Sequence, residues 1–419
     1  MNDSIYCGLD FGTSNSAISV INESGVFLNE NYIMPSLIFF PKTGGIFIGN
    51  EAIEKCINEK YKGRLIQSFK NFLSDPLFDK TRIGDYHFSL EDLISIIMKD
   101  LKENMECFLD KEIDSVVLGR PAQFSDDAER DLIAEERLIN SAKLSGFKKI
   151  AIQIEPIAAA LDYEFNLESE ELVLVGDFGG GTSDFTIMKL SKENIKKKDR
   201  KEDIIGTSGI NIAGDFFNSS IMWEKIAKHF GLGAKYESTS GKVMDVPTAL
   251  LWHLREWHKL PFLDNPQDKG LINRLLMTCN NKDAIVRFKQ VIDNQLGFGL
   301  FQSIDKAKCN LSQEDNSKIL FTSDFFSIEE RIKSNELDLI IEDELADIDE
   351  AISNLLKSVS LSNENIDSVF LTGGSSHLTQ IQEIFKKRFG FNKIKRQGSG
   401  FVNVSNGLAL SSLYLDFKK

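Results

Sequence analysis

Two short stretches of the sequence combine an aspartate, glycine and hydroxyl side chains in the same order. The first is DFGTSN, residues 10–15, and the second is DFGGGTSD, residues 177–184. A glycine turn can present several backbone N–H groups to an anion such as phosphate, because no Cβ blocks the approach. A carboxylate beside that phosphate would repel it unless a cation lay between them. Each stretch therefore predicts a site for phosphate together with Mg²⁺.

The repetition of the stretch matters more than either copy. A single glycine-rich hairpin often uses glycine only for its turn conformation, and that explanation stays open for each copy alone. A turn without a ligand has no reason to repeat its acid as well. Two copies therefore favour a clamp in which Asp10 and Asp177 share one Mg²⁺–phosphate group, with hydroxyl donors from Thr13, Ser14 and Thr182.

Other phosphate-binding motifs are excluded by their letters. The segment TSGKV, residues 239–243, lacks both the earlier glycine and the final hydroxyl residue of a P-loop. A dinucleotide fingerprint anchored at Gly179 would need glycine where Asp184 stands. No H-R-D segment precedes either D-F-G triplet, which excludes a protein-kinase metal loop.

A third segment could complete the site. SVFLTGGSSHL, residues 368–378, is an apolar strand followed by a Gly-Gly-Ser turn and an amphipathic helix. A nucleoside or ribose-phosphate could pack on the two glycines near the helix N-terminus. Alone, such a turn is more often a simple connection between a strand and a helix. It is evidence for a ligand site only together with the two glycine turns, as the third wall of the same site.

The elements that must position these turns are predicted from periodicity. Residues 5–21 form a hairpin around the first turn, and apolar spacing predicts a helix over 89–109 that starts with a capping box at Ser89 and Asp92. The following strand–helix–strand–helix order, with Ser125 as a helix cap and Pro156 opening a helix, indicates an α/β unit.

A second unit begins near residue 171 and returns to its sheet at 368. Between these two points, apolar residues recur with helical spacing over most of 215–312 and 326–357, which predicts amphipathic helices. The charged run KENIKKKDRKED, residues 192–203, is interpreted as a solvated hairpin tip.

The composition of the whole chain limits the number of packed units, the possible partners and the compartment. A chain of 419 residues with 42% hydrophobic content suggests two to three packed units. Its net charge of −14 disfavours nucleic acid and anionic membrane as partners. The five cysteines form no CxxC pair, which is typical of a reduced compartment, and no apolar run is long enough to span a membrane. These features predict a cytoplasmic protein. We also expect the chain to be a monomer.

The three segments, with IEPIAAALDYE between the first and second, resemble the actin-like ATPase superfamily. They are most similar to the nucleotide-binding domain of the seventy-kilodalton heat-shock chaperones, and within it to a short YegD-like group without a substrate-binding domain. The resemblance implies an α/β, ribonuclease H-like fold with two lobes, each a mixed sheet with flanking helices, around a central nucleotide cleft. Lobe I would span 1–165, with subdomain IB inserted at about 40–89. Lobe II would span 166–419, with subdomain IIB inserted at about 213–345.

The resemblance also assigns roles to residues. Asp10 and Asp177 would hold a hydrated Mg²⁺, and Lys70 would orient the attacking water and the γ-phosphate of ATP. From the residues alone, a lysine on a solvated helix is the simpler explanation of Lys70. Glu155 matches a hinge-region glutamate, and Pro121 with Glu155 matches a pair that relays nucleotide state between lobes. The remaining contacts to ATP or ADP would come from Gly12, Thr13, Ser14, Gly179, Gly180, Gly181, Thr182, Asp305, Lys308, Gly373, Gly374 and Ser375.

The function implied is an ATP-binding, slowly ATP-hydrolysing, chaperone-like switch whose lobes respond to nucleotide and which lacks a peptide-binding domain. Any protein partner would dock on the nucleotide domain itself. A filament-forming actin-like ATPase and a small-molecule kinase of the same fold remain alternatives. Cys309 and His377 stand where the chaperones usually carry arginines around adenine, which weakens the expectation of tight and selective adenine binding.

Overall fold

The computed structural model describes residues 5–28, 32–59, 62–78, 80–125, 127–197, 200–263, 265–395 and 403–417. The strands are β1 Ile5–Phe11, β2 Asn15–Asn22, β3 Tyr32–Pro35, β4 Leu37–Pro41, β5 Phe47–Ile48, β6 Gly63–Gln67, β7 Lys80–Ile83, β8 Tyr86–Ser89, β9 Ser115–Arg120, β10 Lys149–Ile154, β11 Glu171–Phe178, β12 Ser183–Leu190, β13 Ile204–Ile210, β14 Lys235–Glu237, β15 Val243–Asp245, β16 Asn316–Thr322, β17 Ser327–Lys333, β18 Ser368–Thr372 and β19 Ile394–Lys395. The helices are α1 Gly49–Asn58, α2 Leu90–Leu109, α3 Ala128–Leu144, α4 Glu155–Phe165, α5 Gly214–Ile221, α6 Thr248–Leu251, α7 Pro266–Thr278, α8 Lys282–Asp293, α9 Gly297–Asn310, α10 Ser334–Ile340, α11 Glu342–Ser358, α12 Thr379–Phe389 and α13 Asn403–Ser411.

Two five-stranded mixed sheets form the framework, and they share one plan. The first has the order β10-β9-β1-β2-β3, and the second has the order β13-β12-β11-β18-β19. In each sheet an antiparallel hairpin, β1–β2 or β11–β12, has a parallel strand on one side, β9 or β18. Each of the two glycine-rich stretches forms the turn of its hairpin, so the repeated sequence corresponds to a repeated structure.

The helix over the first sheet starts as predicted. Ser89 Oγ accepts from the Asp92 N–H, and the Asp92 carboxylate accepts from the Ser89 N–H, which completes the capping box of α2. The apolar face of α2 then packs into the core of the first sheet with Leu93, Ile97 and Leu101. This burial, rather than helix propensity alone, stabilises a 20-residue helix.

Helix α13 returns from the end of the chain to the first sheet. It contacts β1, β2, β9 and α4. A Cβ added at Gly407 would lie 1.8 Å from the carbonyl oxygen of Ala158, so the two helices touch through their backbones. The alanine run 158–160 in α4 fits this close approach, because it removes side-chain bulk from the contact.

The charged run 192–203 joins the antiparallel strands β12 and β13, as a hairpin tip does, and its described lysines and glutamates are exposed. The interpretation as a solvated tip is wrong for Arg200 and Asp203, which are buried. Arg200 is 3% exposed and donates two hydrogen bonds to Glu164, at 2.6 and 2.7 Å, and one to Asp203 at 2.7 Å. Asn194 and Ile195 are buried as well. The run pairs with a carboxylate 36 residues away, which its local charge pattern could not indicate.

Smaller corrections concern element boundaries. The cap of α3 is Asp127, whose Oδ1 accepts from the Glu129 and Arg130 N–H groups, while Ser125 Oγ accepts from the Asp127 N–H. Helix α4 begins at Glu155, one residue before Pro156. The segment 327–333, expected to be helical, is strand β17. Among the described helices, none combines the length and the apolar character that crossing a membrane requires.

Candidate functional site

A cavity of about 1180 Å³ opens where the two hairpin turns meet, larger than the usual range for a small-ligand site. Every site residue predicted from the sequence lines it: Asp10, Gly12, Thr13, Ser14, Lys70, Glu155, Asp177, Gly179, Gly180, Gly181, Thr182, Asp305, Lys308, Gly373, Gly374 and Ser375. Pro121 lines it as well. These residues come from separate parts of the chain, so tertiary folding brings them to one place.

The two glycine turns face each other at close range. A Cβ added at Gly180 would lie 1.7 Å from Ser14 Oγ, and one at Gly181 would lie 3.7 Å from Thr13 Cγ2. Ser14 Oγ is buried and has no hydrogen-bond partner within the described part of the chain. A buried hydroxyl of this kind fits an acceptor such as a phosphate oxygen.

Two carboxylates lie below the two turns with part of each side chain open to the cavity. Burial, followed by the nearby charge of Glu155, raises the pKa of Asp10 to about 7. Burial and the charges of Glu155, Asp184 and Asp10 raise the pKa of Asp177 to about 8. Removing carboxylates from water disfavours their charged forms, and gathering several of them adds repulsion. Ionising the whole group therefore calls for a cation.

The donor set fits Mg²⁺ in chemical type. Carboxylate oxygens are the hard ligands that Mg²⁺ uses in proteins, where it usually keeps several waters and takes one or two carboxylates plus phosphates. In the described residues, no cluster of three or more histidine, cysteine or acidic side chains is arranged to enclose a metal by itself. Asp10 and Asp177 are thus suited to a hydrated ion that also binds phosphate.

Lys70 points into this acidic group. It lies on a 3₁₀ turn, Phe69–Phe72, that follows Ser68 in the left-handed conformation at φ 63°. Its Nζ lies 2.8 Å from Glu155 Oε1. Burial by itself would lower the pKa of Lys70, but the carboxylates of Glu155 and Asp10 raise it. The alternative explanation from the residues alone, a lysine on a solvated helix, is wrong.

The Gly-Gly-Ser turn closes the cavity beside the second hairpin. Gly373 has φ 82°, a region that favours glycine, and a Cβ there would lie 2.3 Å from the Phe178 carbonyl oxygen. Ser375 Oγ donates to the Gly179 carbonyl at 3.3 Å. The turn begins a 3₁₀ segment, Gly374–His377, before α12. The third wall predicted from the sequence is therefore in contact with the second phosphate-type turn.

Helix α9 supplies another part of the cavity wall. Lys308 is 4% exposed, and its Nζ lies 2.9 Å from both the Gly214 carbonyl oxygen and Asp305 Oδ1. Burial would raise the pKa of Asp305, but the charge and hydrogen bond of Lys308 lower it overall. The Lys308 ammonium group is thus directed at the start of α5.

Sequence reasoning missed that start of α5. The Gly214 and Asp215 N–H groups donate to the carbonyls of Gly179 and Gly180 at 3.3 and 2.7 Å. Burial raises the pKa of Asp215 to about 6. The signal that could have located it is the stretch AGDFF after β13, in which a glycine and an acid open a helix.

The cavity wall also includes aromatic side chains. Trp257 and Phe298 line it with ring centroids 5.2 Å apart. The exposed residues Cys309 and His377 line the cavity as well, so a thiol and an imidazole belong to its wall. Neither side chain offers the broad planar cation of an arginine.

Comparison with known proteins identifies relatives. The family model described as Hsp70 protein matches residues 73–230 and 268–409. The chaperone protein DnaK of Thermosipho melanesiensis is 28% identical over 418 residues, which is 97% of this chain and 58% of that protein. DnaK of Thermotoga maritima is 26% identical over 390 residues, 91% of this chain and 55% of that protein.

The chain thus spans little more than half the length of these relatives. The family match covers the whole second sheet and strands β9 and β10 of the first, and it begins after β1, β2 and β3. It supports the predictions of an ATP-binding chaperone-family protein and an α/β, actin-like fold. The two glycine turns, the sheet plan and the family match agree, and this chain belongs to the Hsp70 protein family, with the actin-like ATPase fold.

Proposed function

We propose that this protein binds ATP with Mg²⁺ in the cavity between the two hairpin turns and hydrolyses it slowly to ADP and phosphate. The observation that carries the proposal is the convergence of two acid–glycine turns on one cavity, with Lys70 and Glu155 paired between them. The family match supports it, since the two DnaK chaperones compared above are similar to this chain over 97% and 91% of its length.

The residues of each turn would act on a different part of the nucleotide. The backbone N–H groups of the turns at Gly12 and Gly180 would bind phosphate oxygens, with Ser14 as an added donor. The Gly373 turn and α9 would hold the nucleoside. Asp10 and Asp177 would hold Mg²⁺, which neutralises charge on the phosphate oxygens when bound.

Hydrolysis needs a positioned water and a stabilised leaving group. Water attacks the terminal phosphorus, the bond to the oxygen of ADP breaks, and inorganic phosphate leaves. Lys70 or Asp177 would orient that water, and the ammonium group of Lys70 would stabilise charge on the transferred phosphoryl group. We expect slow turnover, in keeping with a switch that dwells in each nucleotide state.

The switch itself is a relative movement of lobes. We propose that 1–165 and 166–419 act as these lobes, with insertions at about 40–89 and 213–345, and that bound nucleotide favours a closed arrangement. The binding of protein clients or partners by this chain, a monomeric state and a cytoplasmic location belong to the same proposal.

Mutation of two lining residues tests the proposal. Phosphate release should fall at least tenfold in Asp177→Ala and in Lys70→Ala, while the exposed control Lys99→Ala keeps the wild-type rate. Calorimetric titration with ATP, ADP and GTP, with and without Mg²⁺, would measure binding separately. Equal phosphate release in all four proteins would refute the hydrolytic role.

A further inference from the structure

The turn that carries Lys70 continues into a short loop. The 3₁₀ turn covers Phe69–Phe72 and ends at Leu73, and the loop continues to Phe78. Inside the loop, the Phe72 and Asp75 carbonyls accept from the Asp75 and Phe78 N–H groups at 3.1 and 3.3 Å. A helical turn leaves its last carbonyl groups without partners inside the turn, so further donors would help the loop to hold one conformation.

Arg137 of α3 supplies those donors. Its Nη1 lies 3.1 Å from the Phe72 carbonyl oxygen, 3.2 Å from that of Leu73 and 2.8 Å from that of Asp75. Its Nη2 donates to the Phe78 carbonyl at 2.9 Å. One planar guanidinium thus reaches four carbonyls of the loop, which the single ammonium of a lysine could not match. A cation at the carboxyl end of a helical turn is also favoured by the turn's dipole.

The guanidinium is itself held in place. The Arg137 side chain is 15% exposed, and its Nε lies 3.6 Å from Glu91 Oε1 on α2. The helix pair α2 and α3 therefore acts as a fixed support behind the loop. Side chains of the core, Phe69 at 2% exposure and Leu73 at 0%, anchor the turn from the other side.

Both ends of the Lys70 turn are thus restrained. Ser68 enters it in the left-handed conformation, and Arg137 binds the carbonyls at its exit. Lys70 lies between the two restraints, with its Nζ on Glu155. A lysine has four rotatable bonds, so the direction of its ammonium group depends on a fixed backbone.

We propose that Arg137 is a positioning residue that keeps Lys70 directed at the cavity by fixing the Phe72–Phe78 loop. The inference rests on the proposed function for its effect on hydrolysis, but not for its effect on Lys70 itself. Arg137 does not line the cavity, so its effect passes through the loop alone.

The test compares Arg137→Met with Arg388→Met. Arg388 is 12% exposed and donates to Asp349 and Ser353 of α11, so it makes a similar set of bonds far along the chain from Lys70. Its loss should cost comparable stability without affecting the Lys70 turn. If Arg137→Met does not fold, Arg137→Lys, which keeps the charge but cannot reach four carbonyls, takes its place in every measurement.

The first readout is accessibility of Lys70 in the nucleotide-free protein. Trace acetylation followed by mass spectrometry would compare Lys70 with Lys102, a lysine of similar burial that pairs with Glu106. We expect the Lys70/Lys102 labelling ratio to rise at least threefold in Arg137→Met and to stay at the wild-type value in Arg388→Met. An unchanged ratio in Arg137→Met would overturn the proposal, whether or not the protein hydrolyses ATP.

The second readout is single-turnover hydrolysis. Arg137→Met should lower the rate at least fivefold with the dissociation constant for ATP within twofold of wild type. In a Lys70→Ala background the same substitution should have no further effect on the rate, because residues that act as one unit are not additive. If Arg137→Met lowers the rate of Lys70→Ala by the same factor as it lowers the wild-type rate, the proposal is overturned. A wild-type protein without hydrolysis, but with the expected labelling change, would refute the proposed function and leave Arg137 as the support of Lys70.

Discussion

Lys70 Nζ lies 2.8 Å from Glu155 Oε1, and the two side chains are only 15% and 8% exposed. The two residues are 85 positions apart, so this contact joins the 3₁₀ turn after β6 to the start of α4. Burial raises the pKa of Asp10 and of Asp177, and the nearby charge of Glu155 raises both further. Glu155 thus belongs to one group of charges with the lysine and the two aspartates.

Removing the Glu155 carboxylate should disturb Lys70 first. In Glu155→Ala, the ammonium group would turn toward Asp10 and Asp177, so we expect phosphate release to fall about tenfold, or about 1.4 kcal/mol of barrier. The exposed control Glu103→Ala should match wild type. Steady-state phosphate release measures both, and a wild-type rate in Glu155→Ala would show that the pair plays no part in hydrolysis.

The buried pair of Arg200 and Glu164 should be costly to break. Glu164 is fully buried, and its removal in Glu164→Ala leaves the buried Arg200 guanidinium without two of its hydrogen bonds, with Asp203 as its remaining carboxylate partner. We expect the free energy of unfolding to fall by about 3–5 kcal/mol. Urea denaturation provides the measurement, with the exposed Glu168→Ala as the control. A loss below about 1 kcal/mol would instead favour a solvated charged run.

Two glycine substitutions should change stability in opposite directions. Gly407→Ala would place a Cβ 1.8 Å from a backbone oxygen of α4, so we expect a loss of at least about 1–3 kcal/mol. Gly270→Ala, inside α7 with no atom within 4 Å of the added Cβ, should stabilise by up to about 1 kcal/mol. Thermal unfolding would measure the Tm of each variant against that of the wild type. Equal Tm shifts of the same sign would contradict the packing of α13 on α4.

The raised pKa values of Asp10 and Asp177 predict a pH dependence of stability. An acid whose pKa is higher in the folded state contributes stability below its unfolded pKa, near 4, and loses it as pH rises through the folded value, here about 7 and about 8. The protein without Mg²⁺ and nucleotide should therefore lose stability between about pH 4 and 8.

A variant isolates this effect from other titrating groups. Between pH 5 and 8, the free energy of unfolding should fall less in the double variant Asp10→Asn/Asp177→Asn than in the wild type. We expect the difference to be on the order of 2 kcal/mol. Urea denaturation at several pH values, without Mg²⁺, measures the slope. Parallel slopes in the two proteins would mean that these carboxylates are solvated in the folded state.

The thiol at Cys309 should limit adenine binding. Cys309→Arg would place a planar cation at an exposed position on the cavity wall, and stacking of this kind is worth about 0.5–2 kcal/mol. We expect ATP to bind about threefold to tenfold more tightly, while Cys309→Ser stays near wild type. Calorimetric titration would measure both, and unchanged affinity in Cys309→Arg would remove Cys309 from the base site.

The parts of the site that could be predicted are those encoded in short stretches. The turns at Asp10 and Asp177 carry their acid, glycines and hydroxyls within a few residues, and the capping box at Ser89 is equally local. The burial of Lys70 could not be derived from neighbours, because the groups that surround it come from residues 10, 155 and 177. For the same reason, the burial of Arg200 could not be predicted, since its partner Glu164 belongs to another element.

The return of α13 to the first sheet has a consequence during synthesis. Ser19 Oγ lies 2.8 Å from Ser405 Oγ, a contact across 386 positions, and the strands of that sheet are complete by Ile154. A ribosome adding roughly 5–20 residues per second needs on the order of 10–50 s to translate the intervening segment. Throughout that interval the nascent sheet would leave the surface that α13 later covers open to solvent or to other macromolecules.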